Sequence, residues 1–189
     1  MTKIVALAGL MLAWPAAGFA QGVGAYKVLS TSLTSTMQKE MQEAAGAGFR
    51  YAAVMGGETA LGGKEVVVVM QKLGASGSKY EYQLLATNKT SSMQKEVQAV
   101  ADAGFQYVGQ TIFESAMAGR EVVCIFEKDV SKAPVKYEYR LLATAKTSTM
   151  EKELNDAAAG AYEIVGMTVG KTLTGGRELV TIARRKVAP

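Results

Sequence analysis

Apolar and polar positions follow two different periods along this chain, and the switch between the periods occurs three times. Met37, Met41, Ala44 and Ala45 fall at i, i+4, i+7 and i+8, the spacing of one buried stripe on an amphipathic helix. Met93, Val97, Val100 and Ala101 repeat it, as do Met150, Leu154, Ala157 and Ala158. Each stripe begins inside a recurring segment: Thr34 to Glu40, Thr90 to Glu96, Thr147 to Glu153. Within it Ser35–Gln38, Ser91–Gln94 and Ser148–Glu151 have the Ser-x-x-Gln/Glu form of a capping box, which predicts a helix start at each serine. Gly46 or Gly48, Gly104 and Gly160 are placed to close the helices in a left-handed conformation.

Around each helical stripe lie short segments of strand character. Tyr26 to Thr31, Tyr82 to Thr87 and Tyr139 to Thr144 are apolar and bounded by turn residues. Tyr80-Glu81-Tyr82 and Tyr137-Glu138-Tyr139 extend two of them, with both tyrosines of each triplet on one face. After the helix come Phe49 to Met55, Phe105 to Phe113 and Tyr162 to Val169, then glycine-bearing turns at Gly62-Gly63, Ala118-Gly119 and Gly175-Gly176. A third strand opens on a basic residue followed by glutamate: Lys64-Glu65, Arg120-Glu121, Arg177-Glu178. Its body is apolar without a break from Val66 to Met70 and from Val122 to Phe126, which predicts a central strand covered on both faces.

The methionines Met37, Met93 and Met150 mark a period of 56 and then 57 residues, the signature of one unit repeated. The expected fold class is α+β: three tandem βαββ repeats over 21–79, 80–136 and 137–189, each a mainly antiparallel sheet with its helix on one face. The last strand of each unit is expected between the other two, and the three sheets around a pseudo-threefold axis with helices outside. A single unit of this size is marginal alone, so the three are expected to share one body.

Residues 1–20 read as a signal peptide: Lys3, an apolar run from Ile4 to Trp14, then Pro15 and the small residues Gly18 and Ala20 before a cleavage point at Gln21. The expected location is therefore exported, periplasmic or secreted, with no stable membrane insertion after cleavage. Formal charge is +4 for the whole chain, a mild excess that does not point to nucleic acid. With 0 histidines the chain lacks the commonest general base and metal ligand. With 1 cysteine, Cys124, no intrachain disulfide can form, and its mid-strand position reads as a small buried apolar residue. No metal site and no cofactor is expected.

Two groups of side chains could hold a small ligand. Tyr82 and Tyr139 could stack on a planar molecule, although alternation makes them half-buried sheet residues first. The corners Lys64-Glu65, Arg120-Glu121 and Arg177-Glu178 could line a site where strands converge, although such pairs usually mark solvated strand ends.

Three stretches of the last unit, Tyr137 to Leu142, Glu151 to Asn155 and Ala161 to Gly166, resemble a family of small bacterial strand-helix-strand-strand domains of unknown function. That family's pattern is Tyr-x-Tyr-x-Val, Leu-Asn and Gly-Trp-Glu-Leu-Val. The chain departs from it with Phe105 or Tyr162 in place of the tryptophan. The resemblance implies the βαββ fold and a bacterial source, and brings no catalytic residues. Dodecin, a flavin-binding protein, is similar in topology only. The function expected is a non-enzymatic structural or protein-binding role, with a small-ligand-binding module as the alternative. Partners expected are an unspecified protein or small molecule, with a homo-oligomer possible.

Overall fold

The computed structural model describes residues 25–59, 63–74, 79–115, 119–171 and 176–187. Residues 1–20, read above as a signal peptide, and the turn residues Gly62, Ala118 and Gly175 lie outside them. In chain order the elements are β1 (Tyr26–Thr31), α1 (Thr34–Gly46), β2 (Phe49–Thr59), β3 (Gly63–Lys72), β4 (Tyr80–Thr87), α2 (Thr90–Asp102), β5 (Gln106–Ser115), β6 (Gly119–Asp129), β7 (Tyr137–Thr144), α3 (Thr147–Ala159), β8 (Glu163–Lys171) and β9 (Arg177–Lys186). The chain is thus three βαββ units, each with its own antiparallel three-stranded sheet. The orders are β1-β3-β2, β4-β6-β5 and β7-β9-β8, with the last strand of each unit in the centre as expected.

The helices start one residue before the serines, and no side chain caps them. The capping-box reading is corrected accordingly. The chain is turned into each helix by the threonine that ends the preceding strand. Thr31, Thr87 and Thr144 hydroxyls accept from the amides of Leu33, Lys89 and Lys146 at 3.2, 3.4 and 3.2 Å. Beyond the helices, Gly48 and Gly104 take φ of 82° and 89°. In the third unit the left-handed residue is Ala161 at φ 61°, not Gly160, so the strain glycine relieves twice is borne once by a Cβ.

The units are stacked in series. Each helix packs on its own sheet, and the first two also pack against the first strand of the following unit, α1 on β4 and α2 on β7. Two buried clusters result. The first joins Met37 and Met41 of α1 and Val66, Val68 and Met70 of β3 to Val123 and Ile125 of β6. The second joins Met93 and Val97 of α2 and Val122, Cys124 and Phe126 of β6 to Val180 and Ile182 of β9. Alternate residues of β6 therefore belong to different cores, and the run from Val122 to Glu127 is buried without a break.

Sheet 1 corrects the expectation drawn from its all-valine strand. In β3, Val66, Val68 and Met70 are buried while Val67 and Val69 are only half-buried, because among the described residues no unit covers that second face. The third helix shows the matching gap. Met150 and Ala157 are buried, but Leu154 is half-buried and Ala158 exposed. The three sheets do not close around a threefold axis: Tyr26 on the first sheet is 60% exposed, whereas its equivalents Tyr82 and Tyr139 are 3% and 2%.

Candidate functional site

The chemistry of this fold is concentrated where one unit meets the next. The outer edge of β4 is lined by α1, and there Gln38 and Gln42 side-chain oxygens accept from the amides of Leu84 and Tyr82 at 2.8 and 3.0 Å. At the next joint Gln94 and Gln98 accept from Leu141 and Tyr139 at 2.7 and 2.8 Å. Gln94 also donates to the Tyr139 carbonyl at 2.8 Å, so its amide behaves as a fragment of an extra strand. Two glutamines one turn apart thus satisfy a sheet edge that would otherwise be open to pairing.

Below this edge each joint carries a tyrosine hydroxyl fixed by backbone. Tyr82 Oη accepts from the Tyr51 amide at 2.7 Å, and Tyr139 Oη accepts from the Tyr107 amide at 2.8 Å. A bulge after Tyr51 and another after Tyr107 aim these side chains across the joint. Each lands on a glycine of the next unit: a Cβ at Gly109 would overlap the Tyr51 hydroxyl, and one at Gly166 the Tyr107 hydroxyl.

The first joint also holds a buried carboxylate. Glu127 is 6% exposed and receives Arg50 Nη2 at 2.8 Å and Nε at 3.0 Å, together with Tyr82 Oη at 2.8 Å. The hydrogen bond to Glu127 holds the Arg50 guanidinium above its ordinary range, and Arg50 lies 4.6 Å from the Tyr80 ring centre. Burial pushes the Tyr82 phenol well up, with Glu127 adding to the effect, and burial likewise pushes up Tyr107. At the second joint the charges are rearranged. Arg184 stands where the second unit has Glu127, pairs with Glu163 at 2.7 Å, and lies 4.5 Å from the Tyr137 ring centre.

Arg50 and Arg184 open onto one cleft of about 380 Å³, with Lys128, Lys132, Glu127 and Asp129 also in its wall. Four cations against two carboxylates leave it positive. Most of that charge is already engaged: Lys132 pairs with Asp129 at 2.9 Å and Lys128 donates to the Ala103 carbonyl at 3.1 Å. Among the described residues no group of three or more acidic or cysteine side chains could hold a metal ion. Burial pushes the Cys124 thiol up to about 12, which makes it a poor nucleophile.

The ligand candidates drawn from the sequence are dispersed. Tyr82 and Tyr139 are in the joints, with ring faces against protein. Lys64 and Arg120 share a second cleft of about 350 Å³ with Glu58 and Glu114, where Lys64 pairs with Glu114 at 3.4 Å. Glu121 lies with Arg120 on a separate narrow crevice, and Glu65 is half-buried on β3. Arg177 is exposed and Glu178 half-buried at the start of β9. The basic-glutamate corners of the first two units therefore approach one another, and that of the third unit does not line this cleft.

The residues that build the joints carry one legible signal and one hidden one. The glutamines recur at equivalent positions, with Glu151 and Asn155 in their place on the third helix, so comparing the repeats picks them out. Arg50 and Glu127 are 77 residues apart and have no like-charged counterparts in the other units, so no repeat marks them. No family model, curated protein or solved structure matches the chain.

Proposed function

We propose that this chain is an exported bacterial protein with a non-enzymatic, structural or protein-binding role, built from the small strand-helix-strand-strand domain that its third unit resembles. The observation that carries the reading is where its unsatisfied surface lies. Of the eight large apolar side chains exposed among the described residues, five (Tyr26, Val28, Met55, Ile164 and Met167) stand at joint positions of the first and third units. Their exposures run from 46% to 64%. At the equivalent positions of the second unit Tyr82 and Tyr107 are buried and Leu84, Gln110 and Thr111 half-buried, and its buried carboxylate and thiol also lie inside the stack. Apolar surface of this kind favours a macromolecular partner over a small substrate.

A second reading is favoured by the positive cleft between Arg50, Lys132 and Arg184, which suits a small anion. A thermal-shift screen of the purified protein against inorganic phosphate, citrate, flavins and sugars separates the two. The structural reading expects no shift at millimolar ligand, and a rise of several degrees with one of them would replace it with the second. Export is tested by mass spectrometry of periplasmic protein, which is expected to begin at Gln21.

A further inference from the structure

The two internal joints use one set of positions, and at both ends of the stack no unit among the described residues covers the same positions. The face that enters a joint carries Tyr82, Leu84, Val123 and Ile125 in the second unit, and Tyr139, Leu141, Val180 and Ile182 in the third. In the first unit these positions are Tyr26, Val28, Val67 and Val69, and none of the four is buried. The face that receives is built from the helix and the strand after it, with Tyr51 and then Tyr107 at its centre. In the third unit that position is Ile164, and its flank is Met167, at 46% and 54% exposure.

We infer that the protein binds a second copy of itself head to tail, the first sheet of one molecule entering the helix side of the third unit of another. The proposal rests on the structural reading above and names its partner. Continuity with the joints inside the chain supplies the occupant: α3 would line the edge of β1 as α1 lines β4 and α2 lines β7. The polar contacts carry over. Glu151 and Asn155 replace the glutamines and keep a side-chain oxygen to accept from the amides of Val28 and Tyr26. The steric contacts carry over as well. Tyr51 and Tyr107 reach over Gly109 and Gly166, whereas the shorter Ile164 would reach over the larger Ala53, which occupies the glycine position of the first unit. The joining face is apolar on both sides, and its polar rim brings Glu163 to neutral Gln71 instead of to a like charge. Such a contact is heterologous, so it propagates as a chain of molecules unless its rotation closes a ring.

The test is sedimentation equilibrium of the purified exported protein over a wide concentration range, with Val28→Asp on one face and Ile164→Asp on the other. Both sites are exposed, so each variant keeps its melting curve, and Met167→Asp stands in for Ile164→Asp should that one misfold. Mass is expected to rise with concentration in the parent and each variant alone to associate roughly tenfold more weakly or worse. An equimolar mixture of the two variants is expected to give a dimer and nothing larger, because each contributes one intact face. A parent that stays monomeric, or association that neither substitution weakens, overturns the inference. A monomer whose Tyr26 and Val28 amides resist hydrogen exchange assigns the face to a segment of the same molecule instead and also overturns it. A monomer leaves the structural reading standing, whereas a small-ligand shift removes that reading without altering the mass.

Discussion

Removing Arg50 should cost more stability than removing its buried partner. Glu127 is 6% exposed and its carboxylate has three neighbours to lean on, two guanidinium nitrogens and the Tyr82 hydroxyl. Arg50 has 45% of its side chain in solvent. In Arg50→Ala the carboxylate stays buried with a single hydroxyl donor, and breaking a buried pair from that side costs about 3 kcal/mol. In Glu127→Ala the guanidinium turns to water, so the loss there is that of an exposed ion pair, below about 1 kcal/mol. Tyr82 is then a buried donor without an acceptor, which adds about 1–2 kcal/mol. The double variant should be milder than Arg50→Ala alone, since it leaves no orphaned charge, so the coupling should exceed the Glu127→Ala loss, at about 2–3 kcal/mol. Urea unfolding with linear extrapolation measures each value. Additivity of the two substitutions, or an Arg50→Ala loss below about 0.5 kcal/mol, would refute a joint held by this pair.

Three further outcomes follow from single positions. Ala161→Gly should raise stability by about 1 kcal/mol, because it removes a Cβ from a left-handed residue, while Gly48→Ala and Gly104→Ala should lower it; thermal melts of the three decide. Tyr82 and Tyr107 have phenol pKa values raised above 10.0 by burial, so the folded state favours the neutral form. Their contribution is complete below pH 10 and is lost as pH rises above it, so tyrosinate absorbance for these two should appear together with loss of far-ultraviolet circular dichroism, and ionisation of all tyrosines in a folded chain would contradict this. Cys124 is fully buried with its thiol pushed up to about 12, so a thiol reagent should leave the native protein unlabelled and label one site per chain in urea.

Local pattern was enough to read the units, because strand and helix periods depend on neighbours a few residues away and each unit states them afresh. The stripe of Met93, Val97, Val100 and Ala101 is the buried face of α2, and the central place of β6 follows from its apolar run. Where local reading failed, two local solutions competed: Ser35 could have capped a helix, but Thr31 had already turned the chain into it. The glutamine rails were visible in the repeat once compared, while the Arg50–Glu127 pair was not, being a long-range contact with no copy.

What no local pattern carries is position in the stack. Tyr26 and Tyr82 occupy the same place in the same kind of strand, yet one is 60% exposed and the other 3%. Val67 and Val123 are alike in sequence context, and only the second is buried. The strands and helices of a unit are specified within the unit, by periodicity and turn chemistry. Burial of its second face depends on another unit arriving there, so the covered joints and the two uncovered faces belong to the tertiary arrangement alone.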